Sequence, residues 1–331
     1  MLAFLKQYKK IFIILSFPYL YLLFLLIAPT QKMVIAPGGL TPVDQSVEID
    51  GVNMMDQFHT IYVYSYYPMT PFQTFITADD DRMAIYPLSE RQQDISWRDD
   101  YLSGQVSKLS SLQISVIKAY QLAHVVDPSI TIEYHLAGLL ISYRPSRLKE
   151  LEIGDRVIAI NGISVEGLEE EDFLALSDSE NMTLLIERKH GDEWITLSVD
   201  YTRLEDEPSL RYYPDYQIDS AFPSFTLPGL ESVIGGPSGG MIQTLSIYAS
   251  LLKLNIGELK IAGTGTIEMS GNIGKIGGIR QKIYTAWDQN VDVFFIPRDH
   301  VSEIEDIQYP FAMYVVSTIE EAVQALYEVI D

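Results

Sequence analysis

Apolar residues form one long, almost uninterrupted run close to the amino terminus, whereas elsewhere they recur in short periodic segments. The run covers residues 11–28 and is about as long as a helix that crosses a bilayer. Three lysines, at positions 6, 9 and 10, precede it, and only Lys32 follows closely. The positive-inside rule therefore predicts a cytoplasmic tip at residues 1–10, a single transmembrane anchor at 11–28 and an extracellular remainder.

The alternative interpretation of this run is a signal peptide that is removed after export. A cut after Ala28 would place Leu26 three residues before the cleaved bond and Pro29 directly after it. Because signal peptidases prefer a small residue at the first of these positions, the sequence favours an uncleaved anchor. The predicted localisation is the cell membrane, with one pass and the bulk of the chain outside.

Between residues 29 and 127 the periodicity changes from strand-like to helical. Alternating β-branched and aromatic side chains predict strands at 60–66 and 71–78. Apolar residues spaced three or four apart then predict a helix over about 106–124. The segment 29–127 is therefore expected to form extracellular strands and one helix.

The carboxyl-terminal part, residues 205–331, alternates between helical and strand-like patterns. The predicted helices span 241–254, 277–289 and 319–330, and the predicted strands span 259–264, 291–297 and 311–317. This alternation is α/β in character.

The composition is acidic and lacks cysteine. The formal net charge is −22, from 23 Lys and Arg residues against 45 Asp and Glu residues. Such a charge repels nucleic-acid phosphates, so DNA and RNA binding is excluded. Without cysteine the chain has neither a disulfide framework nor a thiolate metal site. No cofactor and no metal are predicted.

One serine and one lysine carry the candidate chemistry. Ser238 lies in a glycine-rich loop, residues 234–240, and Lys282 ends a second glycine-containing stretch, residues 276–282. A serine hydroxyl needs a base to become a nucleophile, and a buried neutral lysine can be that base. The glycines allow a sharp turn that exposes the hydroxyl. A helix that starts just behind the turn supplies free N–H groups for an oxyanion hole.

Residues 128–204 differ in sequence pattern from both flanking regions and resemble a PDZ domain. The likeness is carried by Gly154-Asp155, which turns into an apolar strand, and by Asn161-Gly162, which closes that strand. Asp155 can bond its own turn, and Asn-Gly favours a tight hairpin. The segment continues with a predicted short helix at 169–176 and predicted strands at 183–187 and 194–199.

The PDZ resemblance implies a peptide-binding groove. PDZ domains bind an extended peptide by adding it as a strand to an open sheet edge. By resemblance, that edge is formed by Gly138, Leu139, Leu140 and Ile141, and the helix at 169–176 is the other wall.

The region after residue 205 resembles the proteolytic domain of Lon peptidases in three stretches that follow the family's order. Residues 235–240 match the nucleophile loop. Residues 262–267 together with 271–278 match the glycine-rich hairpin between a strand and a helix. Residues 277–282 match the start of the helix that bears the catalytic lysine.

The Lon resemblance implies a role for each matching position. Ser238 would be the nucleophile, Lys282 the base and Thr264 a hydroxyl partner of the lysine. The loop residues that support the nucleophile would be Gly236, Pro237 and Gly239.

Two positions depart from the pattern of cytosolic Lon. Gly235 and Thr266 stand where acidic residues are common. An acidic side chain is therefore not expected to assist catalysis at these two positions, whereas the Ser–Lys pair is unaffected.

An anchor, a PDZ domain and a Lon-type domain in one chain resemble the membrane-anchored PDZ–Lon peptidases of Gram-positive bacteria, some of which trim secreted peptide pheromones. The implied activity is an extracellular serine endopeptidase that cleaves exported peptides or proteins. No Gly-x-x-x-x-Gly-Lys-Ser/Thr phosphate loop occurs in the sequence, so ATP is not an expected partner. Expected partners are peptide or protein substrates and the membrane, while homo-oligomerisation is left open.

The predicted fold is α+β, with a Lon-type domain at 205–331 and one N-terminal transmembrane helix. The PDZ domain at 128–204 is expected to be inserted within the peptidase fold, with parts of that fold supplied by 29–127. The stretch between Arg203 and Ser238 is short for the strands and helix that a Lon-type domain needs ahead of its nucleophile. The strands at 60–78 and the helix at 106–124 are the candidates for these pieces.

Two other functions stay open from the sequence. Residues 236–240 also match the Gly-x-Ser-x-Gly motif of α/β-hydrolases, and Asp292 and His300 follow in the order that a Ser-His-Asp esterase needs. If the peptidase-like region were inert, the chain would instead be a membrane-tethered PDZ scaffold.

Overall fold

The computed structural model describes residues 7–330 except 167, 169–171, 173–175, 177, 178 and 192. The α-helices in this part are α1 (Lys9–Ile27), α2 (Pro71–Thr77), α3 (Glu90–Asp94), α4 (Trp97–Val126), α5 (Gly240–Leu252), α6 (Ile279–Asp288) and α7 (Ile319–Ile330). The strands are β1 (Lys32–Pro42), β2 (Glu48–Ile49), β3 (Phe58–Tyr66), β4 (Ala84–Pro87), β5 (Thr131–Tyr143), β6 (Arg156–Ile160), β7 (Ile163–Ser164), β8 (Asn181–His190), β9 (Glu193–Thr202), β10 (Arg211–Phe222), β11 (Phe225–Thr226), β12 (Ile261–Gly263), β13 (Thr266–Ile267), β14 (Ile273–Gly274), β15 (Val293–Pro297) and β16 (Ala312–Val316).

A mixed six-stranded sheet underlies the carboxyl-terminal region, with the order β16-β15-β12-β3-β1-β4. The strands from β16 to β3 run parallel, whereas β1 is antiparallel to both β3 and β4. Strand β3 therefore fills the position between β12 and β1, although it precedes β12 by about 200 residues of sequence. An insertion of residues 128–204 into one fold would require this arrangement.

Helix α4 packs against α5, the helix that follows the nucleophile loop. Ile114 of α4 belongs to the same buried cluster as Met241 and Leu245 of α5. Helix α4 begins nine residues before its predicted start, because Ser96 caps it by accepting a hydrogen bond from the Asp99 N–H. The apolar residues spaced three or four apart occur only in the packed part of α4, so this pattern did not predict the first turns, which are more polar.

The strand predicted at 71–78 is wrong, because these residues form helix α2. Thr70 and Gln73 make a reciprocal capping box, in which each side chain bonds the other's backbone N–H. Pro71 occupies the first helical position, where a missing N–H leaves no hydrogen bond unmade. This start signal outweighs the alternating apolar pattern.

A second sheet of antiparallel strands has the order β10-β5-β6-β8-β9, with β7 paired to β6. Asn161 and Gly162 join β6 to β7 with φ values of 51° and 78°, so the predicted tight Asn-Gly hairpin is confirmed. The strands predicted at 183–187 and 194–199 lie within β8 and β9. The predicted helix at 169–176 lies largely outside the described residues.

The predicted peptide-binding edge at Gly138, Leu139, Leu140 and Ile141 is wrong, because this stretch is not an open edge. It lies in β5, which pairs with β10 on one side and with β6 on the other. Strand β10 therefore takes the position that an added peptide strand would occupy. Its pairing with β5 is a long-range contact that leaves no trace in the local sequence pattern.

The elements predicted after residue 240 are all present, as α5, β12, α6, β15, β16 and α7. At the other end, α1 is long and apolar enough to cross a membrane, with a mean hydropathy of 2.2. An amino-terminal signal sequence has the same length and composition.

Asp155 anchors the turn ahead of β6, and its loss is expected to destabilise the second sheet. Its carboxylate is 2% exposed, accepts from the Glu152 N–H at 2.7 Å and pairs with the Arg188 guanidinium through two contacts of 2.7 Å. Asp155→Ala leaves that guanidinium without its buried partner, which should cost about 3 kcal/mol or more of unfolding free energy. Urea unfolding of the two proteins measures the difference.

The matched control for Asp155 is Asp288, which pairs with Arg82 while both side chains are nearly half exposed. Asp288→Ala should change the unfolding free energy by no more than about 1 kcal/mol, because water screens exposed pairs. Equal changes in unfolding free energy for the two substitutions would show that the burial of Asp155 does not strengthen its ion pair.

Candidate active site

Ser238 stands at the turn that leads into α5. The loop before it rests on α4, where the Gly236 N–H donates to the Gly104 carbonyl oxygen at 2.8 Å. Gly236 has a φ of 98°, which favours glycine. A Cβ on Gly235 would lie 2.8 Å from the Gly104 backbone. Because Gly235 has no side chain, the nucleophile loop can approach α4 closely; acidic residues are common at this position in cytosolic Lon.

The Ser238 backbone is also held from the side of β12. Its carbonyl oxygen accepts from the Gly265 N–H at 2.8 Å, and the Gly265 carbonyl oxygen accepts from the Met241 N–H at 3.1 Å. The Ser111 hydroxyl of α4 donates to the carbonyl oxygen of Pro237 at 3.1 Å. The serine is therefore fixed between α4 and the chain after β12, while its side chain stays half-buried.

The structure brings Ser238, Thr264 and Lys282 together. The Lys282 Nζ lies 2.8 Å from the Ser238 Oγ and 2.9 Å from the Thr264 Oγ1. The Thr264 hydroxyl in turn donates to the Ser238 carbonyl oxygen at 3.1 Å. Lys282 reaches this position from the first turn of α6, which begins after Gly278 in the left-handed conformation, with φ 70°.

The lysine is placed to act as an uncharged base. Its side chain is 2% exposed, and no carboxylate in the described part of the chain forms an ion pair with it. Burial without a counter-charge disfavours the ammonium form and lowers the pKa of Lys282 to about 7. At neutral pH a large fraction of Lys282 can therefore accept the serine proton.

The backbone N–H groups of Ser238 and Gly239 are candidates for an oxyanion hole. Among the described residues, neither N–H has a hydrogen-bond acceptor. Both residues line an open groove and immediately precede the first residue of α5, where the helix dipole favours negative charge. Donors of this kind can hold the oxygen of a tetrahedral intermediate.

The groove beside Ser238 has a volume of about 860 Å³ and runs along β3. It is lined by Thr60, which lies beside Gly239, and by aromatic side chains from β3, its carboxyl end and α4. These aromatic residues are Tyr62, Tyr64, Tyr66, Tyr67, Trp97 and Tyr101. The sequence patterns identified β3 but did not show that it lines the site.

Gln243 is a groove residue that the sequence patterns did not single out. It lies one turn into α5, is 7% exposed, and its side-chain oxygen has no partner within the described residues. A buried acceptor of this kind is available to a donor on a bound ligand. Only its spacing five residues after Ser238 could have drawn attention to it.

The residues of the alternative esterase triad do not assemble. The His300 Nε2 accepts from the Ile276 N–H at 2.9 Å, and its Nδ1 faces Glu303 at 3.1 Å. Asp292 accepts from the Lys260 N–H at 2.8 Å. His300 therefore supports the hairpin ahead of α6, and the Ser-His-Asp prediction is wrong in this geometry.

Comparison with known proteins bears on the same region. Residues 214–329 match the family model of the Lon protease (S16) C-terminal proteolytic domain. These residues are therefore similar to the proteolytic domain of Lon proteases. The matched range includes Ser238, Thr264 and Lys282, the three side chains that meet in the structure.

Several Lon proteases are similar to this chain in sequence. The Lon protease of Orientia tsutsugamushi is 32% identical over 98 residues, which are 29% of this chain and 11% of that protein. That of Mycoplasmopsis agalactiae is 31% identical over 72 residues, 22% of this chain and 7% of that protein. Lon protease 1 of Syntrophobacter fumaroxidans is 28% identical over 96 residues, 29% of this chain and 11% of that protein.

The chain thus spans between 7% and 11% of the length of these relatives. The family match and these relatives together support a serine peptidase.

Thr264→Val is expected to slow the reaction of Ser238 about 10- to 100-fold, because it removes a hydrogen bond to the lysine that acts on the serine. The measurement is the rate at which a fluorophosphonate labels Ser238. Thr264→Ser keeps the hydroxyl and should retain most of the rate. If valine and serine behave alike, the hydroxyl has no part in positioning Lys282.

Proposed function

We propose that this chain is an ATP-independent serine endopeptidase that cleaves exported peptides or proteins through Ser238 and Lys282. The observation that carries the proposal is the 2.8 Å contact between the Lys282 Nζ and the Ser238 Oγ in a buried site without a carboxylate partner for the lysine among the described residues. The Lon-type domain at 214–329 supports the reaction class. The absence of a phosphate-loop motif from the sequence supports ATP independence.

The proposed reaction begins with neutral Lys282. The Ser238 Oγ attacks the carbonyl carbon of a peptide bond while its proton passes to the Lys282 Nζ. The N–H groups of Ser238 and Gly239 stabilise the resulting oxyanion. The ammonium then gives its proton to the departing amine nitrogen as the C–N bond breaks, leaving an ester on Ser238.

Water completes the proposed cycle. The oxygen of a water molecule attacks the ester carbonyl while Lys282 takes a proton from that water. Lys282 then returns the proton to the Ser238 Oγ as the acid product leaves. Because the groove is open, peptides and unfolded segments can reach Ser238 without assisted unfolding.

The proposed location is the cell membrane, with the catalytic part outside. Helix α1 would be the anchor, with residues 1–10 as a cytoplasmic tip, because lysines precede the apolar run. Pheromone-type peptides are one substrate class that fits an enzyme in this location.

The proposed domain organisation has residues 128–204 as a PDZ module inserted between 29–127 and 205–331. The pairing of β3 with β12 supports a single peptidase fold on both sides of the insertion. The described antiparallel sheet supports the module, but β10 covers the strand expected to bind peptides. Any assistance in substrate recognition would have to use another part of the module.

The test is mass spectrometry of peptides released into the medium by cells that produce either the wild-type chain or Ser238→Ala. Peptides that appear only with the wild type identify substrates and cleavage positions. Identical peptide sets, together with an absence of fluorophosphonate labelling in the wild type, would leave a non-catalytic scaffold as the better description.

A further inference from the structure

Helix α2 has its apolar side turned outward. Phe75 and Ile76 are 78% and 57% exposed, and Phe72 on the same face is 40% exposed. Its polar side chains point the other way: Gln73 and Thr74 are half-buried. A helix on a water-facing surface normally shows the reverse arrangement.

The polar face of α2 is satisfied by the helix itself. The Gln73 side chain accepts from the Thr70 N–H, and the Thr74 and Thr77 hydroxyls donate to backbone carbonyl oxygens one turn earlier. No residue of α2 is buried. The outward apolar face therefore has no structural reason inside the described fold and points to an apolar environment outside it.

The position of α2 identifies that environment. Helix α2 packs beside α1. Just after α1 ends, the Thr30 N–H and hydroxyl both donate to the Met69 carbonyl oxygen, at 2.7 and 2.8 Å. Met69 also donates its N–H to the Lys32 carbonyl oxygen at 2.9 Å. These bonds fix the start of α2 at the level where the candidate membrane span ends.

We propose that α2 is a second membrane contact, a short interfacial helix whose face of Phe72, Phe75 and Ile76 rests in the outer surface of the bilayer. The proposal rests on the membrane anchor proposed above. Amphipathic helices bury their apolar face about 5–10 Å into the boundary between headgroups and acyl chains. Together with α1, this contact would prevent the catalytic domain from turning freely about a single anchor.

Aromatic residues linked to the segment before α2 through Tyr67 fit the same placement. Trp97 begins α4, is 84% exposed and stacks on Tyr101. The Tyr67 hydroxyl donates to Asp100 in the same turn of α4, and Tyr67 is two residues before Met69. Tryptophan and tyrosine are enriched at membrane surfaces because one end of each side chain is apolar and the other polar.

The contact is apolar rather than electrostatic. Asp79, Asp80 and Asp81 follow α2 after Ala78 and are exposed, so anionic headgroups would repel this end of the surface. Arg82, the next residue, is paired with Asp288. Zwitterionic phosphatidylcholine is therefore the appropriate lipid for a test.

The absence of native cysteine allows single labels in the full chain. Phe75→Cys carries an environment-sensitive nitrobenzoxadiazole label in phosphatidylcholine vesicles, some of which contain a lipid with a nitroxide near the glycerol end of an acyl chain. The control is Val125→Cys, also apolar and 81% exposed, which lies about 40 Å along α4 from Trp97. Flotation of the vesicles separates membrane-bound protein before each measurement.

The expected result is a blue-shifted emission at position 75 and nitroxide quenching at least about twofold stronger than at position 125. Equal quenching at the two positions, or a label at position 75 that reports water, overturns the inference and leaves the anchor proposal intact. A blue shift at position 75 without quenching would indicate a protein contact and also overturns it. Protein that fails to float with the vesicles refutes the anchor and this inference together.

Discussion

Lys282→Met is expected to reduce the reaction of Ser238 by about 10⁴-fold or more, because Lys282 is the one basic side chain in the described part of the chain that bonds the hydroxyl. Methionine fills a similar volume and removes the nitrogen that accepts the proton. Ser238→Ala should have an equal effect on peptide cleavage. Since the two side chains act as one unit, the double variant should be no slower than either single variant.

Fluorophosphonate labelling and hydrolysis of fluorescein-labelled casein, an unfolded protein, measure the loss. The matched control is Lys275→Met. Lys275 is the neighbouring lysine in the hairpin, its side chain is 58% exposed, and it pairs with Glu303. This variant should react at about the wild-type rate, because exposed pairs contribute little. If Lys275→Met abolished the reaction while Lys282→Met did not, the assignment of the base would be wrong.

The candidate site was largely predictable because its motifs are local in sequence. Glycines around Ser238 and before Lys282 predict two sharp turns, each followed by a helix, and α5 and α6 begin where these turns end. The strand before Thr264 is a short buried run that ends at the site. Local patterns of this kind contain the information that positions the three side chains.

The features that escaped prediction depend on contacts between distant parts of the chain or on conflicting local signals. Strand β10 covers β5 through pairing that no periodicity encodes. Strand β3 was expected to belong to the peptidase fold, but its place in the lining of the groove was not predicted. At α2, an apolar alternation typical of strands competes with the capping box of Thr70 and Gln73, and the cap prevails. The outward apolar face of α2 is then visible only in three dimensions.

The labelling rate of Ser238 is expected to fall about tenfold for each pH unit below about 7 and to level off above about pH 8. Only neutral Lys282 can take the serine proton, and burial lowers its pKa to about 7. Burial also lowers the pKa of His300 from its ordinary value. Because labelling involves the free enzyme, the profile reports the pKa of Lys282 before substrate binds. A rate that is constant between about pH 6 and 8, or that still rises near pH 10, would contradict a buried lysine base.

Unfolding provides a second measurement of the same pKa that does not depend on the reaction. Between pH values of about 7 and 10.5, unfolded Lys282 binds a proton that the folded lysine has released. The stability of the wild type relative to Lys282→Met should therefore rise with pH through this window. Below about pH 7 both states are protonated, and the penalty for burying the ammonium is fully present. Urea unfolding of both proteins at about pH 6 and about pH 9 measures the difference. A relative stability that does not change would mean that the folded lysine keeps its ordinary pKa, and Ser238 would then need another base.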